Sequence, residues 1–260
     1  MKKLGKNNKF LKNILPYIIG GLLVIGVWEV VSILTKGIFL PGFFSTLIKA
    51  FSLLGLIDTY GAIGYTFLRL LLAFIISSVI GIFFGTLSGY FPIMKRIMFP
   101  LVSVIRVFPT IALILLLVIY VPHASIYVIS FVVFPVMYQA ALDGASRIYG
   151  DYEDEIRLNN KMNLRNVSRI VFPLSADYLF LGTTQSIGLG LKVAIMSEVL
   201  TYKADYHGLG KNIYIAYQNV EYDSMMGYVL IALLLCLVLD IIAVITKTLV
   251  ESKLDIPKAK

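Results

Sequence analysis

Long apolar runs separated by short, charged connections dominate this chain. A helix needs about 20 predominantly apolar residues to cross a hydrocarbon core about 30 Å thick, because it rises about 1.5 Å per residue. Six runs meet that length: residues 14–35, 62–87, 98–121, 125–142, 176–200 and 225–249. Prolines Pro100 and Pro109 interrupt the third. The pattern predicts an all-α, polytopic membrane protein with about six transmembrane helices. An even number of crossings puts both termini on one side.

Cationic residues say which side. Cytoplasmic loops retain Lys and Arg, and here 16 cations fall in the N-terminus, the second and fourth connections and the C-terminal end, against four (Lys36, Lys49, Lys203 and Lys211) in the others. Both termini are therefore expected in the cytoplasm, with the chain in the cytoplasmic membrane. The basic start followed by an apolar run reads as an uncleaved first span, since the run is long and has no small-x-small site after it. The expected organisation is a basic cytoplasmic N-terminus over 1–13, a transmembrane domain over 14–249 that includes a cytoplasmic loop at 144–173, and a cytoplasmic tail over 250–260.

Composition agrees with that picture and removes whole classes of function. Hydrophobic side chains make up 58% of the chain and charged ones 15%, with mean hydropathy +0.86; a water-soluble enzyme of this size needs more polar surface. Cys236 is the sole cysteine, so an intrachain disulfide or thiolate cluster is excluded. His123 and His207 stand apart, without the spacing of a metal site. The net charge of +8 reflects the cytoplasmic loops rather than a nucleic-acid partner. Neither a catalytic constellation nor a cofactor motif is evident.

Charges inside apolar runs are costly and therefore informative. Glu29, Arg69, Arg106, Lys192, Glu198 and Asp240 all lie in or at the edges of spans. Arg69, Arg106 and Glu198 are near span ends, where snorkelling or a local ion pair competes with a transport role. Glu29 and Asp240 read as staples between helices. Lys192 shares a helical face with Gln185 and Gly188, and this face is the candidate translocation path. The opposite stripe, Gly182, Ser186, Gly190 and Ala194, repeats small residues every four positions, as do Ser77, Gly81, Gly85 and Gly89 in the second span. Such stripes let helices approach closely.

The fourth connection carries its own amphipathic pattern. Asp151 and Asp154 are suited to cap a short helix containing Ile156, with a break at Asn159 and Asn160. A second helix capped by Asn163 then shows Leu164, Val167, Ile170 and Val171 on one face before Pro173. This pattern suits a protein partner at the membrane surface, or an interfacial helix lying on lipid headgroups.

With these residues in view, the sequence resembles the inner-membrane permease subunits of ATP-binding-cassette importers, in the branch that includes nitrate, sulfonate, taurine and thiamine-precursor systems. The resemblance covers nearly the whole chain: Trp28-Glu29, Leu40-Pro41, Arg69, the Gly81 to Gly89 stripe, and Arg106-Val107-Phe108-Pro109 as an Arg-x-x-Pro segment. It continues through Gly188-Leu189-Gly190, Lys192-Val193, Glu198-Val199, Gly208-Leu209-Gly210 and Asp240. The family's EAA loop is matched by Asp154, Glu155 and Ile156, then Asn160, then Ile170-Val171-Phe172-Pro173, with Asp for the leading Glu, Glu and Ile for the two alanines, and Asn for the glycine.

The resemblance implies a type I importer permease fold, paired with a second permease copy or a paralogue around a translocation path. It further implies ATPase subunits docked on Asp154, Glu155, Ile156, Asn160, Ile170, Phe172 and Pro173, and an extracytoplasmic binding protein that delivers a small anion or a vitamin-precursor heterocycle. The chain has no P-loop of its own: around Gly208 to Asn212 the first glycine position holds Asp205 and the Ser/Thr position holds Asn212. Two rival classes remain. An intramembrane protease of the rhomboid type needs Gly-x-Ser-Gly, which Gly85-Thr86-Leu87-Ser88-Gly89 does not supply. An ion-coupled secondary transporter or channel would use Lys192, Glu198 and Asp240, and independence from an ATPase would identify it.

Overall fold

The computed structural model describes residues 4–151, 175–201 and 207–254, and every regular element among them is helical. The helices are α1 (Leu4–Leu34), α2 (Phe43–Leu54), α3 (Ile57–Tyr90), α4 (Pro92–Val107), α5 (Thr110–Tyr120), α6 (Ala124–Asp151), α7 (Ala176–Leu200), α8 (Leu209–Gln218) and α9 (Tyr222–Leu254). Five are long and apolar enough to cross a membrane, and α4 and α5 make a sixth if taken together. The third apolar run is thus not one straight crossing, because α4 and α5 meet at an angle of 89°. The cause is Pro109: it has no N–H to continue α4, and it biases Phe108 towards the extended conformation, observed at φ −64°, ψ 126°. The fourth apolar run continues as helix past Leu142 to Asp151, so the cytoplasmic loop expected from 144 begins as an extension of α6.

The chain divides into two compact units, one of residues 1–59 and 212–231, the other of residues 60–211 and 232–260. In the first unit, α1 ends where Lys36 and Gly37 both take positive φ, and Gly37 N–H bonds back to Ser32 O at 2.9 Å. The returning segment is pinned by two side chains of α1. Trp28 Nε1 donates to Pro41 O at 2.9 Å, and Glu29 Oε1 accepts the Phe43 N–H at 2.8 Å. Glu29 therefore supplies the acceptor that the start of α2 lacks in its own cap residue, Gly42. Gly227 of α9 packs against Leu53 and Ala50 of α2 in the same unit.

In the second unit α6 is the central helix. Val128, Ile129, Val133 and Met137 of α6 form one buried cluster with Leu70 and Ala73 of α3, Ile114 of α5, and Leu191, Val193 and Ala194 of α7. Tyr138 and Leu142 form a second with Met98 and Val102 of α4. Glycine stripes make these contacts possible. A Cβ at Gly81 would lie 2.8 Å from Met137 Cβ, and one at Gly85 would collide with the Tyr138 carbonyl. On α7, a Cβ at Gly182 would press on Ala140 and one at Gly190 on Leu70. Outward-facing residues of the long helices are large and apolar, including Leu22, Val27, Ile76, Val79, Leu237 and Ile241, as a hydrocarbon surround requires.

Candidate functional site

The 89° break between α4 and α5 opens a cavity of about 530 Å³ walled by α4, α5, α6 and α7. Its polar lining comes from Arg106, Thr110, Gln139, Asp143, Tyr178 and Gln185. Arg106, in the last turn of α4, donates from Nη2 to Gln139 Oε1 at 3.1 Å and to Pro135 O at 3.3 Å. Gln139 Nε2 in turn donates to Asp143 Oδ1 at 2.7 Å. The spacing 135, 139, 143 places these groups on one face of α6. Tyr178 OH accepts from Arg147 Nη1 at 3.0 Å. Tyr178, Leu181, Gly182, Gln185 and Leu189 form the α7 wall.

Of the three residues assigned from sequence to the path, the cavity takes in Gln185 alone. Gly188 faces open space, with nothing within 4 Å of a Cβ built there, and Lys192 is exposed further along. Both Lys192 and Asp240 lie within electrostatic reach of the Cys236 thiol. Asp240 Oδ1 is buried and accepts no hydrogen bond from the described residues. Glu29, in contrast, fastens the start of α2.

Arg69 and Glu198 form a second polar site. Arg69 Nη1 is 2.7 Å from Glu198 Oε1 and 2.6 Å from His207 O, and the Glu198 side chain is fully buried. Thr66 Oγ1 donates to Glu198 Oε2 at 2.9 Å and accepts the Leu209 N–H at 2.9 Å, while Gly210 N–H donates to Glu198 Oε2 at 2.9 Å. Every hydrogen bond the carboxylate accepts helps to offset its desolvation. Gly208 and Gly210 are glycines for a local reason: a Cβ at Gly208 would overlap the Glu198 carboxyl group, and one at Gly210 would lie 2.6 Å from Glu198 Cβ. The Arg69 guanidinium also lies over the Tyr65 ring, which stacks on His207. The arrangement ties α3, the end of α7 and the start of α8 together, and its engagement leaves it no free donor set for a solute.

Sequence reasoning did not find Thr66, Gln139, Asp143 or Tyr178. The signal for Gln139 and Asp143 was available as polar residues four apart in an otherwise apolar run. Asp154, Glu155, Ile156, Asn160, Ile170, Phe172 and Pro173 lie outside the described residues. The described residues hold no group of three or more His, Cys, Asp or Glu able to take a metal ion.

Removing one member of the buried pair strands the other. Arg69→Met is expected to cost about 3–5 kcal/mol, seen as a lower thermal midpoint of the detergent-solubilised protein. The double variant Arg69→Met/Glu198→Met is expected to melt above Arg69→Met, since it leaves no buried ion. A double variant no more stable than the single one would show that the pair is not the source of the loss.

The family described as "Binding-protein-dependent transport system inner membrane component" matches residues 77–256. The nitrate import permease protein NrtB of Synechococcus elongatus is 25% identical over 244 residues, covering 88% of this chain and 85% of that protein. The matched region contains the α3 stripe, the broken span, the cavity and the whole of α7. With its apolar crossing helices and a match over well more than half its length, the chain belongs to the family of inner-membrane permease components of binding-protein-dependent, ATP-binding-cassette importers.

Proposed function

We propose that this chain forms, with a second permease copy or a paralogue, the membrane path of an importer for a small solute carrying an oxyanion, delivered by an extracytoplasmic binding protein and driven by partner ATPase subunits. The observation that carries the reading is the cavity at the broken span, where Arg106 presents a fixed cation against the α7 wall. An anion-handling role is further supported by the relative's name, which is that of a nitrate import permease. Guanidinium and oxyanion match in charge and in fork geometry. Lys192, exposed on the same side of α7 as Gln185, offers a second cation along the path.

Three measurements test this reading. For orientation, Asn159 belongs in the cytoplasm and Asn219, exposed after α8, belongs outside. With Cys236 replaced by Ala, a cysteine substituted for Asn219 should react with an impermeant maleimide in intact cells and one substituted for Asn159 only after lysis. The opposite labelling order would overturn the topology.

For coupling, Ile156→Lys places a charge in the segment assigned to the ATPase groove, where an unpaired desolvated ion weakens association. Purified complexes should lose the ATPase while the permease remains folded; full ATPase retention with normal stimulated hydrolysis would remove Ile156 from the interface. For the path, Lys192→Met should reduce uptake several-fold with assembly unchanged. Unaltered uptake would take Lys192 out of it.

A further inference from the structure

The cavity at the broken span holds two opposite charges held at a set spacing, and this combination says more about the solute than an oxyanion alone. Gln139 lies between them with both ends of its carboxamide used, Oε1 towards Arg106 and Nε2 towards Asp143. That arrangement fixes the amide's orientation and separates guanidinium from carboxylate by the width of one carboxamide and two hydrogen bonds. It also leaves capacity at each end. Of the five N–H groups of the guanidinium, only those on Nη2 are engaged within the described residues, and Asp143 Oδ2 has no protein partner there. Both residues are exposed and line the cavity. At the Arg106 end, Thr110 opens α5 with no side-chain cap on its first N–H groups, which adds positive potential on the same side. Phe108 and Leu189 supply apolar wall.

We propose that this cavity binds a small zwitterion, with its oxyanion on Arg106 and its protonated amine on Asp143, joined by a linker of a few carbon atoms. The proposal rests on the importer reading and narrows its substrate class. A simple anion bound at Arg106 would have the Asp143 carboxylate on the far side of Gln139 as a like-charged neighbour, and a simple cation at Asp143 would have the guanidinium. A solute carrying both groups turns each repulsion into a charge-assisted hydrogen bond. Gln139 acts as the spacer: with its amide turned the other way, both bonds would be lost, so its two neighbours hold the recognition geometry before the solute arrives.

The test uses the full chain co-expressed with its ATPase subunits and reconstituted in lipid nanodiscs, with radiolabelled probes in equilibrium dialysis. The probes are taurine and β-alanine, their counterparts without the amine (ethanesulfonate and propionate), and nitrate. At least one zwitterion should bind saturably and about ten-fold or more tighter than its amine-free counterpart, the size expected of one hydrogen bond between charged groups. Asp143→Asn should abolish that difference. Arg106→Gln should abolish binding of both members of the pair, whereas Arg106→Lys, which keeps the charge, should retain part of it. Equal or tighter binding of the amine-free anions or nitrate, a preference that survives Asp143→Asn, or no saturable binding of either zwitterion would overturn the proposal. Co-purification of the ATPase is scored on the same preparation, so its loss would count against the importer reading while the isotherms still decide the zwitterion.

Discussion

Close approach of α3 and α7 to α6 is the constraint on which the rest of the larger unit depends. Within a bilayer, apolar burial gives helices little reason to associate, because lipid tails are as apolar as the partner helix. What remains is dispersion at short range, and that is gained only where backbones come near. Gly81 and Gly85 bring α3 against Met137, Tyr138 and Ala141, while Gly182 and Gly190 bring α7 against Ala140 and Val133. The large side chains of α6 then fill the space between, so Val133 and Met137 are buried although their neighbours on other faces are not.

That packing determines which polar groups are spent and which are free. Glu198 is buried at the end of α7 because the α7 stripe holds that helix near α3, where Thr66 and Arg69 reach it. Its partners come from α3 and from the start of α8, and Gly208 and Gly210 are small because Glu198 occupies the space beside them. The cavity shows the reverse. Pro109 turns α5 away from α4, the helices no longer pack there, and the polar face of α6 at Gln139 and Asp143 is left lining open volume instead of a neighbour. The Glu198 carboxyl group is enclosed by hydrogen-bond donors, whereas Asp143 Oδ2 in the cavity accepts none from the described residues.

This difference also explains what the sequence disclosed. Crossing helices and small stripes are properties of a run of consecutive residues, so α7 was legible to its ends and the packing faces of α3 and α7 to the residue. A break is legible in part: Pro109 marks where helix stops, but the 89° turn depends on how α5 packs against α6. Pairing across long separations was not legible. Arg69 and Glu198 stand 129 positions apart, and Arg106 and Gln139 stand 33 apart; nothing in local spacing favours either pair over the alternatives among the charged residues of the spans. The cavity lies at the break, where its depth is set by the turn of the backbone.

A charge at a break has a structural consequence that a charge in a straight helix lacks. In an unbroken span, the side chain of an arginine must displace a neighbouring helix or reach the interface to be solvated. At the end of α4, Arg106 is accommodated by the Pro135 carbonyl and the Gln139 amide without filling the volume ahead of it. The same proline that ends α4 therefore creates the space, exposes the start of α5 and leaves the guanidinium facing that space. The cavity in this fold is a product of one interruption in one helix, set against the otherwise continuous and tightly packed surfaces of α6 and α7.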